Sequence, residues 1–264
     1  MAMTEKGARF RALHSGPGAF VIANAWDAGS ARLLLQLNLF PAIATSSAAA
    51  AMAQGLRDGL LGRDRSLANA RAIVNACDPL PVSADLENGF AEPPGKVAET
   101  IRLAAAAGLV GASIEDAVEG HGPVYDRALA VERVAAAAEA ARSVGFPFTL
   151  TARAENFIRE RPDLDDTIER LRAYERAGAD VLFAPGLPTL EAVREVCAAL
   201  TKPVNFMAGV PGRSFPVADL EAAGVRRISL AASLYRAALG GMVAAAREVA
   251  SLGTFTYTEK LWTG

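Results

Sequence analysis

Cysteine is scarce: the 264-residue chain has two, too few for a disulfide framework. Neither Cys77 nor Cys197 stands in a CxxC spacing, which excludes a zinc site of that kind. Both fall in helix-like stretches, ANARAIVNACD and LEAVREVCAAL, and read as buried thiols of an intracellular protein. The N-terminal stretch MAMTEKGARFRALHSG has no apolar signal core, and no run of about 18 apolar residues avoids charge. Neither a leader nor a membrane span is expected, and the cytoplasm is the expected location. An excess of one charge is missing too, with 27 basic residues against 29 acidic ones. That balance removes the electrostatic footprint of a nucleic-acid binder and the polybasic patch of a membrane-surface protein. Linkers, low-complexity tracts and a composition break are also absent, so residues 1–264 read as a single domain.

What remains is a chain rich in hydrophobic residues, 52% with much of it alanine, arranged in one alternation repeated eight times. A short apolar run is followed by a longer helix-period segment. The strand candidates are 19–26, 42–47, 81–87, 109–116, 148–155, 180–186, 203–209 and 226–232. Continuous apolar runs suit strands buried on both faces of a parallel sheet. The helical segments are amphipathic; in VERVAAAAEAARSVG the charged Glu132, Arg133, Glu139 and Arg142 fall outside an apolar stripe. Gly108, Gly145, Gly178 and Gly224 each punctuate a helix end shortly before a strand. Eight β/α units predict closure into a (β/α)8 barrel, with an open doubly wound sheet as the alternative. Residues 48–65 form an unusually long connection, and a tail from about residue 252 carries Phe255, Tyr257 and Trp262, suited to docking on a neighbouring subunit or on its own barrel.

In such a barrel the chemistry sits at the C-terminal ends of the strands. Polar residues gather there: Asn24, Trp26 and Asp27 after strand one; Thr45, Ser46 and Ser47 after strand two; Asp85 and Glu87; Glu115 and Asp116; Arg153 and Glu155; and Asn205 in strand seven. Asp85 and Glu87 are two apart and share a strand face, Glu115 ends the next strand, and Asp58 lies in the long connection. Carboxylates converging without lysine neighbours repel one another, and a hard divalent cation, Mg²⁺ or Mn²⁺, relieves that repulsion. Asp116 and Glu155 are better suited to pairing with arginine. Arg153, a guanidinium at the end of an interior strand, demands an anionic partner, either substrate or structural. Ser46 and Ser47 are candidate donors to a substrate carboxylate. His121, in a Gly-flanked loop, is a candidate acid/base, and His14 precedes the first strand with no evident role.

SADLENGF (83–90), GASIED (111–116), TARAENF (151–157), PVNFMAG (203–209) and RRISLAASLYRAA (226–238), in this order, resemble the isocitrate lyase/phosphoenolpyruvate mutase superfamily. The resemblance runs from about Gly16 to Glu248. It implies an α/β barrel, a Mg²⁺ site, 2-oxo or 2-hydroxy acid substrates, and homodimers or homotetramers that exchange the last helix. It also implies roles for individual residues. Asp85 would bind the metal directly, while Asp58, Glu87 and Glu115 would hold it largely through water. Arg153 would grip substrate, Ser46 and Ser47 its carboxylate, and Asn205 would line the pocket; Trp26, after strand one, is a further candidate substrate-binding residue.

The departures narrow the expected reaction. The stretch AVEGHGPVYD has neither the lid cysteine of the isocitrate and methylisocitrate lyases nor the lid lysine of the mutases, and FAPGLP lacks a mutase-type histidine. The expectation is therefore a Mg²⁺-dependent lyase that cleaves a C–C bond of a small oxo or hydroxy acid. Oxaloacetate-like decarboxylation and methylisocitrate-like retro-aldol cleavage both fit, with Arg153, Glu115 and His121 as the candidate catalytic groups. C–P bond chemistry on phosphonopyruvate and metal-dependent 2-oxo acid binding without turnover are the alternatives.

Overall fold

A computed structural model of the chain describes residues 2–118 and 122–262. Eight strands close into a parallel barrel in sequence order, with β1 also paired to β8. They are β1 (Phe20–Ala25), β2 (Ile43–Thr45), β3 (Val82–Asp85), β4 (Gly111–Glu115), β5 (Thr149–Arg153), β6 (Val181–Phe183), β7 (Val204–Met207) and β8 (Arg227–Ser229). The helices are α1 (Met3–Leu13), α2 (Ala28–Leu37), α3 (Ser47–Ala53), α4 (Arg63–Ala76), α5 (Pro94–Ala106), α6 (Arg127–Ser143), α7 (Leu164–Ala177), α8 (Leu190–Ala198), α9 (Val217–Ala222) and α10 (Ser233–Leu252). No helix among the described residues is long and apolar enough to cross a membrane. The (β/α)8 expectation is met, and each strand occurs where the apolar runs place it, two to four residues shorter than its run.

Alternation along the strands divides two environments. In β5, Leu150 and Ala152 join the core beneath the helices, while Thr151 and Arg153 turn to the barrel interior. The interior is more polar than the apolar runs suggest: Ser83, Ser113, Asn205, Arg227 and Ser229 all border its cavity. Outside the barrel, α5 and α6 bury alanines against their neighbours (Ala98, Ala104 and Ala105; Ala130, Ala137, Ala138, Ala140 and Ala141). Side chains this small allow close helix packing. α1 closes the N-terminal end of the barrel, with Phe10 buried among Ile22, Ala42 and Val110.

Four expectations change. The 48–65 connection is not one loop, because α3 occupies Ser47–Ala53 and only the stretch before Arg63 is irregular. Arg133 is not on the solvent face of α6: it is 1% exposed and donates to the carbonyls of Asn88, Ala91 and Glu92. His14 is buried, edge-on to Phe10 and Phe20, with Nδ1 donating to the Phe10 carbonyl. The tail aromatics Phe255 and Trp262 are exposed and do not pack on this chain's own barrel.

Candidate active site

The C-terminal ends of the strands surround a cavity of about 330 Å³, a volume suited to a small acid. Asp58, Asp85, Glu87, Glu115, Arg153, Ser46, Ser47 and Asn205 all line it. Trp26 does not: it stacks edge-on with Tyr235, ring centroids 5.3 Å apart, and its carbonyl accepts from Asn69. His121 lies outside the described residues.

Arg153 is the hub. Register pairs it with Glu115 across β4 and β5, and its guanidinium reaches Asp85 Oδ1 at 3.0 Å, Glu115 Oε2 at 3.2 Å and Glu155 Oε1 at 2.9 Å. The Phe183 ring lies 5.1 Å beneath it. A single-turn 3-10 helix, Asn156–Ile158, then delivers Arg159, whose Nη2 donates to Glu115 Oε1 at 2.9 Å. Burial raises the Glu115 carboxyl well above its ordinary range, with Glu155 and Asp85 adding repulsion that Arg153 and Arg159 only partly offset. Burial likewise raises Glu155. Burial by itself lowers the Arg153 pKa, but Glu155, Glu115 and Asp85 outweigh it and the net shift is upward.

The elements around the hub fix its members. Ser47 Oγ donates to Asp85 Oδ2 at 2.8 Å, and Thr45 Oγ1 accepts from the Asp85 amide. Ser46 caps α3, accepting from Ala49 N. Asp116 stands behind the site rather than in it. Its carboxylate accepts from the Glu155 amide, Arg170 and the Tyr174 hydroxyl, so its pairing with arginine is as expected. Burial raises the Asp116 pKa despite these donors. Glu87 adopts a left-handed conformation (φ +49°), as does Phe90 (φ +58°). The loop is pinned by Arg133 from α6 and by Asn88, whose Nδ2 donates to the Tyr125 hydroxyl.

The floor of the cavity contains a group that the sequence reading missed. Arg227 donates through Nε to Asn205 Oδ1 at 2.8 Å and through Nη2 to Thr151 Oγ1 at 3.0 Å. β5 and β8 are not neighbours, so the latter bond crosses the barrel interior. Nη1 approaches His14 Nε2 at 3.4 Å. Because His14 gives its Nδ1 proton to Phe10, Nε2 is left as the acceptor. Arginine has only donors, so Asn205 must turn its oxygen toward Arg227; its Nδ2 then donates to Ser229 Oγ at 3.0 Å. Burial lowers the Arg227 pKa to about 9 and, together with the Arg227 charge, lowers that of His14 to about 3. Arg159 was missed as well, although its i,i+4 spacing from Glu155 was a usable signal.

For a cation, the donor set decides the fit. The described residues lining the cavity supply carboxylate, hydroxyl and amide oxygens, with no histidine or cysteine, as a hard ion such as Mg²⁺ or Mn²⁺ requires. The four acids expected to hold it share the cavity, but they do not form a preassembled cage. Among the described residues no group of three or more such side chains is arranged to hold a metal, and Asp85 and Glu115 are bonded to arginine. The residues present suit the ion; their arginine pairs would have to yield to it.

Residues 10–250 match the family described as phosphoenolpyruvate phosphomutase. A Burkholderia cenocepacia J2315 structure, provisionally described as a lyase/mutase, superposes with a TM-score of 0.96 at 51% identity, covering 99% of this chain and 94% of that one. The chain is 30% identical to the 2-methylisocitrate lyase of Escherichia coli K12, over 77% of its own length and 70% of that enzyme. It is 28% identical to an oxaloacetate decarboxylase of Bradyrhizobium diazoefficiens, over 80% and 73%.

Proposed function

This chain belongs to the isocitrate lyase/phosphoenolpyruvate mutase superfamily, and from that premise we propose that it is a lyase cleaving the C–C bond β to the carbonyl of a small 2-oxo dicarboxylic acid. Decarboxylation of an oxaloacetate-like acid is the preferred reaction. The observation that supports it is the make-up of the cavity. Its described lining has no lysine, histidine or cysteine, and of its carboxylates Asp85, Glu115 and Glu155 are bonded to arginine, which weakens them as bases. Loss of CO₂ needs no base: the C–C bonding pair passes into the 2-oxo system as CO₂ leaves, and C3 then takes a proton from water to give pyruvate. Retro-aldol cleavage of a 2-hydroxy acid would require removal of a hydroxyl proton.

Asp85, with Asp58, Glu87 and Glu115, would hold Mg²⁺ (or Mn²⁺), and the ion supplies electrophilic stabilisation of charge developing on the 2-oxo oxygen. The chain's own residues do the rest. Ser47 Oγ orients Asp85. Arg153 brings positive charge to the carboxylate end of the substrate. Asn205, held by Arg227, offers its amide to the pocket wall. We also infer a homodimer or homotetramer in which α10 seats on a second copy.

The test is pyruvate formation from oxaloacetate, methylisocitrate and phosphonopyruvate, with Mg²⁺ and after chelation, with Asp85→Ala as control. Turnover of oxaloacetate that chelation abolishes and the variant reduces at least about a hundredfold is expected. Phosphate release from phosphonopyruvate in preference would assign C–P cleavage instead. Silence on all substrates, with metal-dependent stabilisation by 2-oxo acids, would make the protein a binder.

A further inference from the structure

Besides the exposed Arg236, three guanidiniums line the cavity, and they differ in what they have left to give. Arg153 is committed to Asp85, Glu115 and Glu155. Arg227 is committed to Asn205, Thr151 and His14. Arg159 is different. Its side chain is 10% exposed, yet only Nη2 has an acceptor; Nη1 and Nε are buried without a hydrogen-bond partner. Nε lies 3.5 Å from Glu155 Oε2, an ion-pair contact too long for a good hydrogen bond. Buried donors left unmade are costly and rare in native structures, and a charged group raises the cost. The Arg159 backbone is meanwhile well held, its amide donating to the Glu155 carbonyl at 3.0 Å at the end of the 3-10 helix.

We propose that Arg159 is the specificity-determining residue for the distal carboxylate of a dicarboxylic substrate. The inference rests on the 2-oxo dicarboxylic acid reading given above and adds the residue that recognises the second carboxylate. Arg153 ends β5, and Arg159 follows six positions later, beyond the strand end toward the mouth of the barrel. A 2-oxo dicarboxylic acid whose 2-oxo carboxylate end lies beside Asp85, Ser47 and Arg153 extends its other carboxylate, the one released as CO₂, toward Arg159. A planar guanidinium with free N–H groups matches a second carboxylate, and an acid with one carboxylate leaves those donors unmet. The site thereby selects dianionic over monoanionic acids.

The experiment compares wild type with Arg159→Met and Arg159→Lys, using oxaloacetate turnover with Mg²⁺ and calorimetric binding of oxaloacetate and pyruvate. The expected result in Arg159→Met is a KM and Kd for oxaloacetate raised about tenfold or more, with pyruvate affinity within about twofold of wild type. Arg159→Lys should recover part of the loss. A merely structural role, loosening Glu115 and Glu155, would weaken both acids alike and lower kcat; that pattern overturns the proposal. Unchanged oxaloacetate affinity in Arg159→Met, with turnover intact in wild type, overturns it and leaves the lyase reading standing. Selective loss of oxaloacetate binding in a protein that turns nothing over supports the anchor and removes the lyase. Wild type that binds neither acid overturns both.

Discussion

Arg153 shows how one side chain holds a like-charged cluster together: three carboxylates reach the same guanidinium within 3.2 Å. At the opposite end of the barrel His14 stays neutral for a related reason, since burial and the Arg227 charge both disfavour its protonated form. Its folded pKa of about 3 lies below the ordinary 6.5. Below pH 6.5 the unfolded chain therefore binds a proton that the folded chain refuses, and stability falls progressively down to about pH 3. His14→Gln keeps an acceptor for Arg227 and removes the titration. Urea unfolding between pH 4 and 7 should show wild type losing up to about 1.4 kcal/mol per pH unit more than the variant. Parallel slopes would mean that His14 titrates normally. The residues legible in the sequence were those that end strands within recognisable strings, Asp85, Glu115 and Arg153. Arg227 and Arg133 were not, because pattern arguments send charge to solvent. Within RRIS, however, alternation requires one of two adjacent arginines to point inward.

Elements were easier to read than their ends. Strand positions followed from apolar runs, whereas the runs overshot because backbone pairing ends at Thr45, Asp85, Glu115 and Arg153 and the residues beyond them turn off into loops. α3 was hidden because its alanines carry no amphipathic period, although alanine has the strongest helix propensity of any residue. The loop after β3 illustrates a second limit, since nothing local announces that α6 supports it. Glu87, Gly89 and Phe90 all have positive φ, and at Gly89 (φ +79°) an added Cβ would come within 2.9 Å of Val97 Cγ1. A segment so constrained must be over-determined by its surroundings. Arg133 does this by donating to three of its carbonyls while Tyr125 stacks on the guanidinium at 4.3 Å. Arg133→Met retains the aliphatic stem and leaves those carbonyls unmet. It should cost about 2–4 kcal/mol in chemical denaturation, and metal affinity by titration should fall with the loosening of Glu87. A loss of stability with unchanged metal affinity would separate the loop from the site.

At the scale of the molecule, α10 stands apart. It runs for twenty residues from the cavity wall at Ser233, and although Leu234 and Tyr235 are half-buried against this chain, none of the twenty is fully buried. Met242, Val243, Val249 and Leu252 are exposed, and Phe255, Leu261 and Trp262 extend the apolar surface. An exposed apolar surface of this kind suits an interface, and the helix exchange proposed above would cover it symmetrically. Sedimentation should give a dimer or a larger even assembly, and Val249→Glu with Leu252→Glu should shift it toward monomer. A wild-type monomer at micromolar concentration would refute the exchange. On the proposed exchange, how stably a chain folds ceases to be a property of one chain. A folded protomer that covers its neighbour's apolar helix makes the midpoint of unfolding climb with total protein, so dilution alone acts as a denaturant. Two laboratories melting the same protein at different concentrations would obtain different answers, and both would be right.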